Sequence, residues 1–110
     1  MSMFQQLEKL SNVITQRAES ADPESSYVAK LLSKGPLRAG KKVGEEAVEV
    51  AIAAASNVKK DVVSESADLL FHLLLLWKSC AITPQEVMAE LERREGVSGI
   101  AEKKARKKTA

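Results

Sequence analysis

At 110 residues the chain has room for one domain, and a domain this small leaves so much surface unburied that association with a second copy is expected. Apolar residues make up 45% and charged residues 29%, which excludes a disordered chain, and an aromatic content of 4% with few prolines and glycines favours helices over sheets. The net charge of +2 comes from the C-terminal end: residues 102–110 carry five basic side chains against one acidic, so the body is slightly acidic and a general nucleic-acid binder is disfavoured.

Five helices are predicted in chain order, and no segment shows the strict apolar alternation of a half-buried strand. Phe4, Leu7, Leu10 and Ile14 recur at helical spacing and give an amphipathic helix over about 3–18. Asp22-Pro23 marks a turn, after which Ser25 or Ser26 can cap a short, exposed second helix that Lys34-Gly35-Pro36 stops. An Ala- and Val-rich third helix is predicted over about 37–56 and a fourth from 59 or 60 to 80. The Ser56-Asn57-Val58 break between them is too short for anything but an antiparallel helix hairpin. Thr83, Pro84 and Glu86 open a fifth helix with a near-complete capping box, ending near Gly96. The expectation is therefore an all-α helical bundle built on that hairpin and completed by dimerisation. Residues 1–96 form the domain, and 97–110 a basic, mobile tail that serves solubility.

The single cysteine, Cys80, has no intramolecular disulfide partner and no metal-binding neighbour. The N-terminal segment lacks a signal-peptide core, and the apolar run from Leu69 to Trp77 is far short of the ~20 residues a membrane helix needs. A cytoplasmic protein, with neither membrane nor nucleic acid as partner, is expected.

Two carboxylate pairs carry the chemistry. Glu46 and Glu49 share one face of the third helix, and Glu65 and Asp68 share one face of the fourth. In an antiparallel hairpin turning at Asn57, Glu49 falls level with Glu65, Glu46 with Asp68, and Lys42 with His72. Packed helix axes lie ~8–10 Å apart, a gap that facing carboxylates and a divalent ion can fill. Either pair alone reads best as a solvated face, but the matched set implies a cation. Oxygen ligands without cysteine or a second histidine favour Mg²⁺ or Mn²⁺ over Zn²⁺. His72 reads as a core or supporting histidine behind the ligands. Between Ser25 and Gly44 there is no acidic residue, while Lys30, Lys34, Arg38, Lys41 and Lys42 are basic, a segment suited to polyphosphate oxygens.

Ser26-Tyr27-Val28-Ala29-Lys30-Leu31-Leu32, Lys41-Lys42-Val43-Gly44-Glu45-Glu46-Ala47-Val48-Glu49 and Glu65-Ser66-Ala67-Asp68-Leu69-Leu70-Phe71-His72 together resemble the phosphoribosyl-ATP pyrophosphatases over about residues 3–101. The paired E-x-x-E and E-x-x-D motifs alone resemble a wider group of all-α nucleoside triphosphate pyrophosphohydrolases that includes MazG-like proteins and dimeric dUTPases. The resemblance implies that Glu46, Glu49, Glu65 and Asp68 hold Mg²⁺ and that water attacks an α-phosphorus, releasing pyrophosphate and phosphoribosyl-AMP in the second step of histidine biosynthesis. Glu45, beside the cage, becomes the candidate to orient or deprotonate that water. Ser26, Tyr27, Lys30, Lys41 and Lys42 are expected at the substrate phosphates. It further implies a homodimer and, because no residues remain for a fused cyclohydrolase, a stand-alone form. Two alternatives stay open at this point: a nucleotide-cleaning enzyme of the same fold, and a non-enzymatic helical module whose acidic stripe meets a basic partner.

Overall fold

A computed structural model describes residues 2–20, 22–24 and 26–95, together with Lys103 and Arg106; the rest of the predicted basic tail lies outside the described residues. Five helices account for the fold: α1 (Met3–Ser20), α2 (Tyr27–Ser33), α3 (Pro36–Ser56), α4 (Lys59–Ser79) and α5 (Pro84–Arg94), with no strand among the described residues.

Each helix begins and ends for a local reason. At the start of α1 the Gln5 amide donates to Ser2 Oγ (3.1 Å) while the Ser2 amide donates to Gln5 Oε1 (2.8 Å), a reciprocal cap. Ser26 caps α2, its hydroxyl accepting from the Ala29 amide at 3.3 Å. Gly35 then adopts φ 87°, a conformation open to glycine, and Pro36 starts α3. Asn57 ends α3 in the left-handed conformation (φ 62°), and Val58 is extended before α4 begins, so the break falls on the predicted residues. Thr83 and Glu86 complete the capping box of α5.

The end of α4 is a motif the sequence did not announce. The Ile82 amide donates to the Trp77 carbonyl (2.8 Å) and the Ala81 amide to the Lys78 carbonyl (3.1 Å), with Ala81 at φ 58°. This is a Schellman closure carrying alanine where glycine is usual.

The core gathers Ile14 of α1, Val28 and Leu31 of α2, and Leu74 and Leu75 of α4, with Leu7, Leu10, Leu32, Phe71 and Trp77 packed around them. The expectation of an exposed second helix is therefore corrected: seven residues with Val28, Ala29 and Leu31 on one face bury that face against α1 and α4. The most extensive pairing is between α3 and α4, which only Asn57 and Val58 separate. Away from it both helices leave large apolar side chains exposed, Val48 and Ile52 on α3 and Val63 and Leu70 on α4, at 47–63% of their full exposure. Among the described residues no single helix is long and apolar enough to cross a membrane.

Candidate active site

The α3–α4 pairing brings Glu46, Glu49 and Glu65 together. One carboxylate oxygen from each lies within 4.8 Å of the other two. Glu46 is 7% exposed, Glu65 half-buried and Glu49 exposed, so the group opens to solvent on one side. Glu65 Oε2 is buried and accepts no hydrogen bond. Leaving a buried charged acceptor unpaired costs roughly 1–3 kcal/mol or more, so this oxygen is the clearest sign that the residues fit a cation. Beside it, Glu49, Ile52, Ala53, Ser56, Asp61 and Glu65 line a cleft of about 240 Å³. Three hard oxygen donors match Mg²⁺ or Mn²⁺ better than a softer metal.

Asp68 lies one turn along α4 from Glu65 and is exposed, with its carboxylate outside the three-oxygen group. Its backbone carbonyl is engaged: His72 Nδ1–H donates to it at 2.8 Å. With Nδ1 donating there, Nε2 is left to pair with the Tyr27 hydroxyl, 2.7 Å away. His72, 8% exposed, thus ties α2 to α4, and the Tyr27 ring meets it edge-on (centroids 5.7 Å apart) while stacking on Phe71.

Lys42 sits between this link and the carboxylates, its Nζ 3.4 Å from Glu45 and 3.5 Å from Glu46. Burial works against the ammonium, but Tyr27, Glu45 and Glu46 outweigh it and hold the Lys42 pKa above the usual lysine value. Burial raises the Tyr27 phenol above its ordinary value, with Lys42 opposing. At neutral pH the site therefore offers a neutral hydroxyl and a fixed cation next to the acids. Glu45 is exposed and outside the three-oxygen group.

The cationic segment divides. Tyr27, Lys30, Leu31, Lys34, Arg38 and Lys42 line one cleft of about 220 Å³. Lys41 instead joins Lys34, Leu37 and Arg38 around a neighbouring hollow, because successive helical residues point about 100° apart. Ser26 is occupied as the cap of α2, at the edge of this region. Lys34 and Arg38 were expected only as members of the cationic segment and not as individual phosphate contacts. The signal was present in the spacing of Lys30, Lys34, Arg38 and Lys42, four residues apart throughout and read across the α2–α3 break.

Packed helices that present facing carboxylates, with a cationic cleft alongside, define the class: an all-α protein whose acidic residues suit a divalent cation. The family model for phosphoribosyl-ATP pyrophosphohydrolase matches residues 7–95. Among curated proteins, the phosphoribosyl-ATP pyrophosphatase of Paramagnetospirillum magneticum is 52% identical over 102 residues, covering 93% of each chain. That of Parvibaculum lavamentivorans is 55% identical over 101 residues, 92% of each, and that of Azospirillum brasilense 52% identical over 92 residues, 84% of this chain and 83% of the relative. The chain belongs to the phosphoribosyl-ATP pyrophosphohydrolase family.

Proposed function

We propose that this chain hydrolyses phosphoribosyl-ATP to phosphoribosyl-AMP and pyrophosphate, the second step of histidine biosynthesis. Family membership supplies the substrate, and the observation that carries the chemistry is the three-carboxylate group with its unpartnered Glu65 oxygen beside the Lys42 ammonium.

Glu46, Glu49 and Glu65 would hold Mg²⁺, with Asp68 joining them by a change of side-chain rotamer. When bound, the ion supplies charge neutralisation for the leaving pyrophosphate and lowers the pKa of water. Lys42 meets the phosphate oxygens and balances charge that develops as the bond between the α-phosphorus and its bridging oxygen breaks. Glu45, 3.4 Å from that lysine, accepts the proton from the attacking water, so the new P–O bond forms without a covalent intermediate. Tyr27, Lys30 and Ser26 form the substrate side of the site, and Lys41 an outer cation.

The wider expectations belong to the same reading. The α3–α4 pair acts as an antiparallel hairpin, and the exposed Val48, Ile52, Val63 and Leu70 are the surface on which a second copy completes the bundle. Residues 1–96 are the working unit, 97–110 an appended tail, and the compartment the cytoplasm. Glu49→Gln and Asp68→Asn test the cage: each is expected to cut turnover by more than about 100-fold with an unchanged helical circular dichroism spectrum. Full activity in both variants would remove the metal-site assignment.

A further inference from the structure

The cationic cleft gathers positive charge that the acids of the site answer at only one position. Four cations line it, Lys30 and Lys34 from α2 and its cap, Arg38 and Lys42 from α3, and no carboxylate lines it. Only Lys42 is ion-paired. Among the described residues Lys30, Lys34 and Arg38 have no salt bridge, so three cations face one hollow with their charge unanswered. Tyr27 forms its wall, with the hydroxyl fixed on His72 and the ring stacked on Phe71.

We propose that Lys30, Lys34 and Arg38 form a second anion subsite, which takes the phosphomonoester at the phosphoribosyl end of the substrate while Lys42 and the carboxylates serve the triphosphate. This rests on the functional reading above and adds a division of labour to it. The spacing along α3 supports the division. Arg38 precedes Glu46 by about two turns, about 12 Å of helix rise at 1.5 Å per residue, so the cleft extends along α3 away from the carboxylates. The far end of the substrate, separated from the α-phosphorus by two riboses and a purine, has the required reach. Size agrees: about 220 Å³ is less than the roughly 300–1,000 Å³ of a pocket enclosing a whole ligand, and suits one arm of a longer one. Lys42, shared with Glu46, joins the two halves. ATP carries no phosphomonoester apart from its triphosphate, so this subsite would help to separate the substrate from ATP.

The test compares phosphoribosyl-ATP with ribosyl-ATP, the same molecule without the phosphomonoester, on the full-length wild type and on a Lys34→Ala, Arg38→Ala double variant. Both positions are exposed, and a thermal melt confirms that the variant folds. In the wild type the phosphate is expected to raise kcat/KM by about 100-fold, and in the variant by less than about tenfold, the loss falling on the KM of the phosphorylated substrate, as for charge-assisted contacts remote from the reacting bond. Ribose 5-phosphate, used as a probe, should inhibit the wild type competitively and the folded variant far less. Equal losses on both substrates in a folded variant would overturn the proposal by assigning these cations to the triphosphate; no loss on either would make them solvated surface. A wild type that turns over neither substrate would refute the functional reading instead, and the subsite would then stand or fall on calorimetric binding of ribose 5-phosphate to wild type and variant.

Discussion

Glu65 is where the chemistry of the fold is most exposed to test, because one of its oxygens is buried without a partner. A glutamine there removes the charge and keeps the shape. Glu65→Gln is therefore expected to leave the melting temperature of metal-free protein unchanged or raised, since an unpaired buried charge is costly. Mg²⁺ at ten times its dissociation constant should stabilise the wild type by about 1.4 kcal/mol, several °C by differential scanning fluorimetry, and should not shift the variant. A variant that melts lower without metal, yet is still raised by Mg²⁺, would show that Glu65 is not a ligand. A second residue reports on pH. Hydrogen bonds from Arg93 and Arg94 draw the Glu90 carboxyl from 4.5 down to about 2. A folded pKa below the unfolded one means that the stabilisation is complete above about pH 4.5 and is lost as pH falls toward about 2. Replacing Glu90 by Gln should flatten the acid limb of a plot of melting temperature against pH in that window, by a small amount that salt suppresses, because the pair is exposed. An unchanged acid limb would contradict the assignment. At this scale the meeting of Glu46, Glu49 and Glu65 was legible in the sequence from helical spacing and the short α3–α4 break, whereas Asp68 stands outside that group. The Tyr27–His72 bond was not legible, because it joins residues 45 positions apart whose meeting depends on how α2 packs.

The helices themselves were legible where a capping residue or a breaker stands at the boundary: Ser26, Pro36, Asn57 and Thr83 all fall at the observed ends. What was missed depended on hydrogen bonds formed only after folding. The closure of α4 on Ala81 has no glycine to announce it. The burial of α2 was missed because seven residues have too few turns for periodicity to declare a face, and the core of α1 and α4 decided it. Ala81 makes a clean prediction. An alanine in the left-handed region is strained where glycine is not, so Ala81→Gly should stabilise the protein by on the order of 0.5–1 kcal/mol in urea denaturation, net of the added freedom of the unfolded chain. A destabilised variant would mean that the turn is held by something other than its backbone conformation.

On the scale of the whole molecule, the α3–α4 pair carries the acids and also leaves Val48, Ile52, Val63 and Leu70 in the open, Ile52 at the edge of the acidic cleft. The short chain length pointed to association before any contact was known, whereas the surface that serves it required the fold, since the same valines and leucines at helical spacing read equally well as core. A charge in that surface should oppose association: Ile52→Glu is expected to shift the protein toward monomer in sedimentation velocity, while a wild type that sediments as a monomer would remove the dimer proposal. The central claim concerns the reaction. Pyrophosphate release from phosphoribosyl-ATP, ATP and dUTP, each with Mg²⁺ and with a chelator, tests it most directly. Turnover of phosphoribosyl-ATP alone, abolished by chelation, is the predicted result; turnover of dUTP or of triphosphates in general, or turnover that survives the chelator, would contradict it.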